Sequence, residues 1–151
     1  MNKQGLLKGQ ILFEELSDKD LKKIESLLSK FEVKRDDYIF REGEDTKGIY
    51  LILNGKIEIF KSTVDGWKQT LSVLGSGNFF GELSIIEDRR HEANAIAIED
   101  SELLLFRKED FKRLEEEDLE ITIKILKKLV IILSKNLRKM NDMFLKAIVS
   151  Y

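Results

Sequence analysis

The 151-residue sequence contains no cysteine and a single histidine, His91. Disulfide bonds and thiolate chemistry are therefore excluded, and so is a metal site built from several histidines. A chain without cysteine is also compatible with a reducing compartment. These absences mean that the packing of ordinary side chains has to stabilise the fold.

Long apolar runs are absent as well. No stretch approaches the ~20 consecutive apolar residues that span a membrane, and the N-terminus has no apolar segment of signal-peptide length. We therefore expect a soluble, cytoplasmic protein. Its length favours a single domain, residues 1–151, which can bury roughly two thirds of the surface of the unfolded chain without a covalent staple.

Charge is distributed unevenly along the chain. Residues 118–151 contain seven basic and three acidic residues, so this part carries +4 and the rest carries −6 of the total −2. Such asymmetry is one sign of a nucleic-acid-binding helix. The favoured interpretation is that these charges form the solvated flanks of a long helix whose other face is apolar.

A helix is predicted to begin after Ser17. Ser17 would be its N-cap, and Asp20 at the third helical position would accept a reciprocal hydrogen bond from the Ser17 backbone N–H. Leu16 and Leu21 are placed to pack together as a hydrophobic staple. Residues 1–13 predict at most a frayed helix. Five apolar residues give the predicted helix one face that should lie against a sheet: Leu21, Ile24, Leu27, Leu28 and Phe31.

From Glu32 to Arg107 the apolar residues alternate, and turn signals recur roughly every eight to twelve residues. Asn54-Gly55 lies between two apolar runs and predicts a two-residue hairpin, because both positions of such a turn need positive φ and these residue types adopt it. Asp65-Gly66 predicts a second hairpin turn for the same reason. The predicted fold class is mainly β with flanking helices. It is an antiparallel β-roll or jelly-roll barrel of about eight strands over residues 32–107, with one helix before it and two after it.

The two C-terminal helices are predicted to be a short one from Lys108 to Leu114 and a long one over about 118–150. In the long helix, apolar residues recur with spacings of three and four, which is a heptad pattern. We expect this seam to join two copies of the chain about a two-fold axis. The alternative is a monomer in which the helix folds entirely onto its own barrel. The seam residues are Ile123, Leu126, Val130, Leu133, Leu137, Met140 and Phe144.

The candidate site lies between Phe79 and Ala97. Gly81 precedes an apolar stretch that is too short for an ordinary helix. A glycine entering a one-turn helix can form an anion cradle, because the first N–H groups lack partners within the helix. The stretch resembles the phosphate-binding cassette of the cyclic-nucleotide-binding domain family, of the Crp/Fnr sensor type. The matching residues are Gly81, Glu82, Leu83, Ser84, Ile85, Ile86 and Ala93.

The resemblance extends from about Leu12 to Leu133 and includes most of the glycine turns. It implies a ligand pocket in which Glu82 accepts the ribose 2′-hydroxyl of a cyclic nucleotide. It also implies that the purine contacts the long helix near Met140 and Asn141. A different interpretation of Glu82 is a carboxylate that stabilises the helix dipole, worth roughly 0.3 to 1 kcal/mol.

Four positions depart from the family pattern. Arg90 replaces proline, His91 replaces the arginine that pairs with the cyclic phosphate, Glu92 replaces a small residue, and Asn94 replaces threonine or serine. Losing the arginine should cost about 1.5 to 3 kcal/mol, and a carboxylate beside the phosphate should cost roughly 4 kcal/mol more. Arg89 or Arg90 could reduce this loss of phosphate binding in two ways. Either could pair with Glu92, or either could turn its guanidinium into the site. We therefore expect weak or absent binding of cyclic AMP and cyclic GMP.

Three functions remain open from the sequence. The first is a regulatory ligand-binding module that is dimeric through its long helix. The second is a degenerate member that keeps the fold and serves as a dimerisation or partner-binding unit, or binds a different ligand. An enzyme is disfavoured, because the chain offers no recognisable nucleophile–base pair and no catalytic signature.

No metal or cofactor is expected besides a possible cyclic nucleotide, because a haem or metal site at His91 would have no second ligand.

The transcription regulators of the family continue from the long helix into a helix-turn-helix domain, whereas this sequence stops at Tyr151. We therefore expect no DNA-binding domain and no membrane contact in this chain. It is either a free-standing sensor or part of a longer regulator.

Overall fold

The computed structural model describes residues 3–150, apart from the side chains of residues 3, 4 and 84. Within that range it contains eight β-strands and four α-helices, which confirms the predicted mainly β class with flanking helices. The helices are α1 (Lys3–Leu7), α2 (Asp18–Glu25), α3 (Lys108–Glu117) and α4 (Leu119–Val149). The strands are β1 (Leu28–Val33), β2 (Tyr38–Phe40), β3 (Gly48–Asn54), β4 (Ile57–Ser62), β5 (Lys68–Leu74), β6 (Phe79–Phe80), β7 (Asn94–Ala97) and β8 (Ser101–Arg107).

Helix α2 begins at the predicted capping box. Ser17 Oγ accepts the N–H of Asp20 at 3.1 Å, and the carboxylate of Asp20 accepts the N–H of Ser17 at 3.1 Å. The predicted continuation of this helical face to Leu28 and Phe31 is wrong, because α2 ends at Glu25 and both residues lie in β1. Strand β1 pairs with β8 along its whole length, and this long-range pairing overrides the local helical spacing.

The strands form two antiparallel four-stranded sheets. Their orders are β1-β8-β3-β6 and β2-β7-β4-β5, so the antiparallel prediction is confirmed. The first strand begins at Leu28, slightly before the predicted start at Glu32. Asp65-Gly66 lies in the turn between β4 and β5, as predicted, but the turn spans residues 63–67 instead of two residues, and of the pair only Gly66 has a positive φ, +84°.

Asn54-Gly55 does not form the predicted hairpin. It connects β3 to β4, which belong to different sheets, so it turns a corner of the roll. Gly55 has a φ of +102°, and a Cβ built on it would lie 2.0 Å from Ser101 Oγ. The same Oγ accepts the N–H of Lys56 at 3.2 Å. Close packing against β8 therefore sends the chain across to the second sheet instead of back along β3.

Alternation along β3 and β8 separates two hydrophobic cores. One face of β3, with Ile49 and Leu51, packs against the helices, and the other face, with Tyr50 and Ile52, lies between the two sheets. This alternation is the period of a strand that is buried on both sides. The core between the sheets is rich in aromatic side chains and lies directly behind the Gly81 turn.

Helix α4 is docked along its first half only. Asp118 caps it by accepting the N–H of Ile121 at 3.2 Å, and Ile121, Ile125 and Leu129 are buried. Residues 134–150 are all exposed, and at 1.5 Å per residue this segment is about 25 Å long. In the described part of the chain, no helix is both long enough and apolar enough to span a membrane.

Candidate functional site

The candidate site is built on the turn at Gly81. Gly81 has a φ of +77° and precedes a single 3₁₀ turn, Glu82–Ile85, whose start has no side-chain cap. A Cβ built on Gly81 would lie 3.1 Å from the carbonyl oxygen of Gly48 and 3.4 Å from the ring of Tyr50. Both the positive φ and this close packing favour glycine here. A glycine that enters a short 3₁₀ turn is the arrangement that the sequence predicted for an anion cradle.

Glu82 follows directly and is half-buried. Burial raises the pKa of its carboxyl, and the backbone N–H of Glu82, which donates to this carboxyl, acts in the opposite direction. The side chain is therefore an acceptor held on a fixed turn, which suits the role that the resemblance implies. Leu83 is 54% exposed, and the side chain of Ser84 lies outside the described residues.

His91 is brought to the same place from the other end of the cassette. Its Cε1 would lie 3.9 Å from a Cβ built on Gly81, and its ring stacks on Phe40 with a centroid distance of 3.5 Å and an interplanar angle of 2°. The ring is buried, and its Nε2 has no hydrogen-bond partner among the described residues. Burial lowers the pKa of His91, while the charge of Glu44 raises it. The imidazole is therefore neutral at neutral pH.

The stack of Phe40 on His91 continues into the core between the sheets. The Phe40 ring lies 5.8 Å from the Tyr50 ring and 5.8 Å from the Phe80 ring, and Tyr50 and Phe80 stack at 5.2 Å. Such pairs contribute roughly 0.5 to 1.5 kcal/mol each beyond the area that they bury. The residue in the position of the phosphate-pairing arginine is thus part of an aromatic cluster.

The Glu92 side chain is exposed at the surface, and it is paired with another side chain instead of being an unpaired charge next to the Gly81 turn. Its carboxylate accepts from the Arg89 guanidinium at 2.7 Å, and both side chains are more than half exposed. Arg89 also contacts Glu87 at 3.1 Å, and Arg90 lies 3.6 Å from Asp45. Of the two predicted ways of softening the charge of Glu92, the structure shows the pairing with Arg89. The repulsion of a phosphate by Glu92 should therefore be smaller than that of an unpaired charge.

The end of the cassette has a structural role. Ala93 is half-buried and leads into Asn94, which is buried. The Asn94 side-chain oxygen accepts the N–H of Glu42 at 2.8 Å, and its Nδ2 donates to the carbonyl of Phe60 at 3.4 Å. Asn94 therefore fastens the cassette to β4 and to the loop after β2.

The remaining predicted contact comes from α4. Asn141 and Met140 lie in the exposed half of that helix, so they do not complete the site by packing on their own barrel. Phe40 was missed by sequence reasoning, because its contact with His91 joins segments 51 positions apart and no local pattern signals it. Thr46 was also missed; its hydroxyl is buried and has no partner among residues 3–150.

Comparisons with known proteins agree with this fold. The family model described as "Cyclic nucleotide-binding domain" matches residues 30–118. The chain is 32% identical over 105 residues to the cyclic AMP receptor protein of Thermus thermophilus, covering 70% of this chain and 49% of that protein. It is 32% identical over 123 residues to the anaerobic regulatory protein of Bacillus subtilis, covering 81% of this chain and 52% of that protein.

A solved structure extends the similarity to nearly the whole chain. The N-terminal domain of a transcriptional regulator from Streptomyces coelicolor A3(2) superposes with a TM-score of 0.76 at 25% identity, covering 92% of this chain and 94% of that chain. This chain spans about half the length of the two curated relatives named above. The family match and these similarities show that the chain belongs to the cyclic nucleotide-binding domain family.

Proposed function

We propose that this regulatory domain of the Crp/Fnr type binds cyclic AMP and cyclic GMP weakly or not at all. The observation that carries the proposal is the environment of His91, a buried ring stacked on Phe40 beside Gly81. A neutral imidazole in an aromatic stack cannot provide the charged, bidentate contact that an arginine gives to a phosphate. The cassette therefore keeps its backbone shape and lacks its main cation.

Calorimetric titration of the wild-type protein with cyclic AMP and cyclic GMP at pH 7.5 tests the proposal. We expect either no heat of binding or a dissociation constant in the high micromolar range or weaker. This corresponds to an affinity lower by about two or more powers of ten than that of a cassette with the phosphate-pairing arginine. Saturable submicromolar binding would contradict it and would mean that Arg89 or Arg90 leaves its surface partner for the ligand. Turnover of a nucleotide would contradict the non-enzymatic role that we propose.

The names of the two curated relatives, a receptor and a regulatory protein, support a regulatory role in place of a catalytic one. We infer a cytoplasmic location, for which the cysteine-free composition is suitable. The second candidate function is a domain that keeps the fold and acts through protein contacts. The exposed apolar half of α4 favours it.

We further propose that α4 carries the signal as a dimerisation helix. Leu137 is 59% exposed, Met140 65% and Phe144 67%, although a helix with such a stripe normally buries it. Leu126 and Leu133, in the docked half, are half-buried, and Leu126 packs against the chain's own core. A second copy of α4 packed about a two-fold axis would cover the stripe without any other partner. Asn141 would then lie at or near the interface between the two copies.

A further inference from the structure

A cleft is lined by residues from the middle of the cassette and from two other segments. It has a volume of about 360 Å³ and is lined by the loop between β2 and β3, by residues 88–90 of the cassette and by the first residue of α3. Gly81, Glu82 and Leu83 do not line it. The lining residues are Asp45, Thr46, Asp88, Arg89, Arg90 and Lys108.

Three of the six lining side chains are cations. Lys108 is the least exposed of them, with 32% of its side chain accessible, and it stands at the start of α3, where the helix dipole is positive. Arg89 and Arg90 approach from the cassette. This cluster therefore places two guanidinium groups and one ammonium group around one opening.

Arg89 is already paired with Glu87 at 3.1 Å and with Glu92 at 2.7 Å, whereas the carboxylates that face Lys108 and Arg90 hold them weakly. Asp88 lies 3.3 Å from Lys108 but is 94% exposed, and Asp45 lies 3.6 Å from Arg90 but is 89% exposed. Ion pairs between such exposed side chains contribute little and are screened by salt. Either aspartate can turn into water when a more strongly charged anion enters the cleft.

Thr46 supplies an independent observation. It lines the cleft, it is only 7% exposed, and its hydroxyl oxygen is buried without a hydrogen-bond partner among the described residues. A buried polar group without a partner is unusual, because leaving it unpaired costs free energy. A hydroxyl group on a residue that lines the same cleft as Arg90 and Lys108 is a candidate donor to an oxyanion there.

We propose that this cleft binds the phosphate group of a small phosphorylated molecule, with Arg90 and Lys108 as the main charge partners and Thr46 as a hydroxyl donor. Arginine matches the geometry of phosphate oxygens and lysine provides a point charge. The volume exceeds that of phosphate alone and leaves room for a small organic group. This site is additional to the proposed function of the Gly81 turn and does not depend on it.

Titration with inorganic phosphate, followed by the backbone amide signals of the full chain in NMR spectra, tests the proposal. At constant ionic strength set with chloride, we expect saturable shifts at Asp45, Thr46, Arg90 and Lys108. The double variant Arg90→Gln with Lys108→Gln should weaken phosphate binding at least about tenfold. Thr46→Val should weaken it about threefold or more while leaving every charge in place.

Lys112→Gln is the matched control, since it removes one positive charge from α3 outside the cleft. We expect it to bind phosphate within about twofold of wild type, whereas an equal loss in this control would show that only general charge attraction is involved. Linear, unsaturated shifts with phosphate would also overturn the proposal. Saturable shifts confined to residues 81–84 would overturn it too, and would instead place the anion in the cassette turn. Thermal melts of each variant confirm that the fold is intact.

Discussion

His91 lies face to face with Phe40 at the position where the family has a cationic side chain. The exposure of the flanking residues shows how this is arranged: His91 turns inward while Arg90 and Glu92 turn outward. An inward cation would need a partner, because a desolvated charge without one is costly. A neutral ring avoids the cost of a buried charge, but its Nε2 is still buried without a hydrogen-bond partner among the described residues.

The pH dependence of stability should report this burial. The unfolded chain has an imidazole pKa of about 6.5, and desolvation lowers the pKa of His91 in the folded state, against a smaller opposite effect of Glu44. Between these two pKa values the unfolded state binds more protons, so stability is full above about pH 6.5 and falls as the pH drops through the folded pKa. We expect wild type to lose more stability than His91→Phe between pH 7.5 and pH 5.

Urea unfolding at both pH values measures this difference. His91→Phe keeps an aromatic ring against Phe40 and removes the titration, and the neighbouring groups Glu44 and Tyr50 are unchanged in both proteins. Parallel losses in wild type and variant would show that His91 is not desolvated in the folded protein.

Residue-scale prediction from sequence was limited by contacts between distant segments. The resemblance placed His91 and Glu82 at the Gly81 turn, and the structure brings Gly81 and His91 together. It did not reveal the stack on Phe40, because nothing in the local pattern of the cassette specifies what lies opposite. The surface pairing of Arg89 with Glu92 was one of two open arrangements, since spacing allows both.

At the scale of elements, the turn at Asn54-Gly55 shows what a local motif specifies. The motif correctly requires positive φ at Gly55, but the direction of the next strand depends on Ser101, which is 46 positions away. Turn chemistry therefore predicted where the chain bends and not which sheet it enters. The early end of α2 has the same cause, because pairing with β8 decides the state of Leu28.

Two glycine substitutions separate backbone strain from packing. Gly66→Ala and Gly55→Ala both place a Cβ at positive φ, but a Cβ at Gly66 meets nothing within 4 Å, whereas one at Gly55 lies 2.0 Å from Ser101 Oγ. We expect Gly66→Ala to cost about 1 to 2 kcal/mol and Gly55→Ala to cost about 3 kcal/mol or more. Urea unfolding measures both, and equal losses would show that the corner packs less tightly than the structure indicates.

The exposed half of α4 permits a similarly matched test of assembly. Leu137→Glu places a charge in the proposed seam, where it would be desolvated without a partner. Leu145→Glu makes the same change at a leucine of nearly equal exposure, 58% against 59%, outside the heptad seam. Sedimentation should show a wild-type dimer, a monomeric Leu137→Glu and a dimeric Leu145→Glu. A monomeric wild type, or a Leu137→Glu variant that remains dimeric, would contradict the proposed seam.

At the scale of the whole molecule, the two oppositely charged parts of the chain meet each other. Lys124 on α4 binds Asp20 on α2 at 2.9 Å, and Lys128 binds Glu14 at 2.6 Å. Lys23 also donates to the capping residue Asp118 at 3.1 Å. The pairs of Lys124 and Lys128 use part of the positive charge of α4 within the chain, and all three pairs join its docked half to the N-terminal elements.

The overall fold was predictable because its signals are redundant: alternating strands, recurrent glycine turns and a long heptad helix all indicate the same architecture. The cleft beside Thr46 was not predictable, because its lining comes from three separate segments. A cluster of that kind exists only after the sheets and α3 have packed.

We propose that the Gly81 turn keeps the shape of an anion cradle but lacks the cation that would hold a cyclic phosphate. Introducing an arginine at position 91 tests this proposal most directly. Cyclic AMP is titrated by calorimetry into His91→Arg/Glu92→Ser, into wild type and into Glu87→Ser, which removes the other partner of Arg89 without changing the cassette end. We predict that the double variant binds at least about 100-fold more tightly than wild type, and that Glu87→Ser stays within about threefold. The proposal would be contradicted if neither wild type nor the double variant gave a heat of binding, or if wild type bound cyclic AMP tightly.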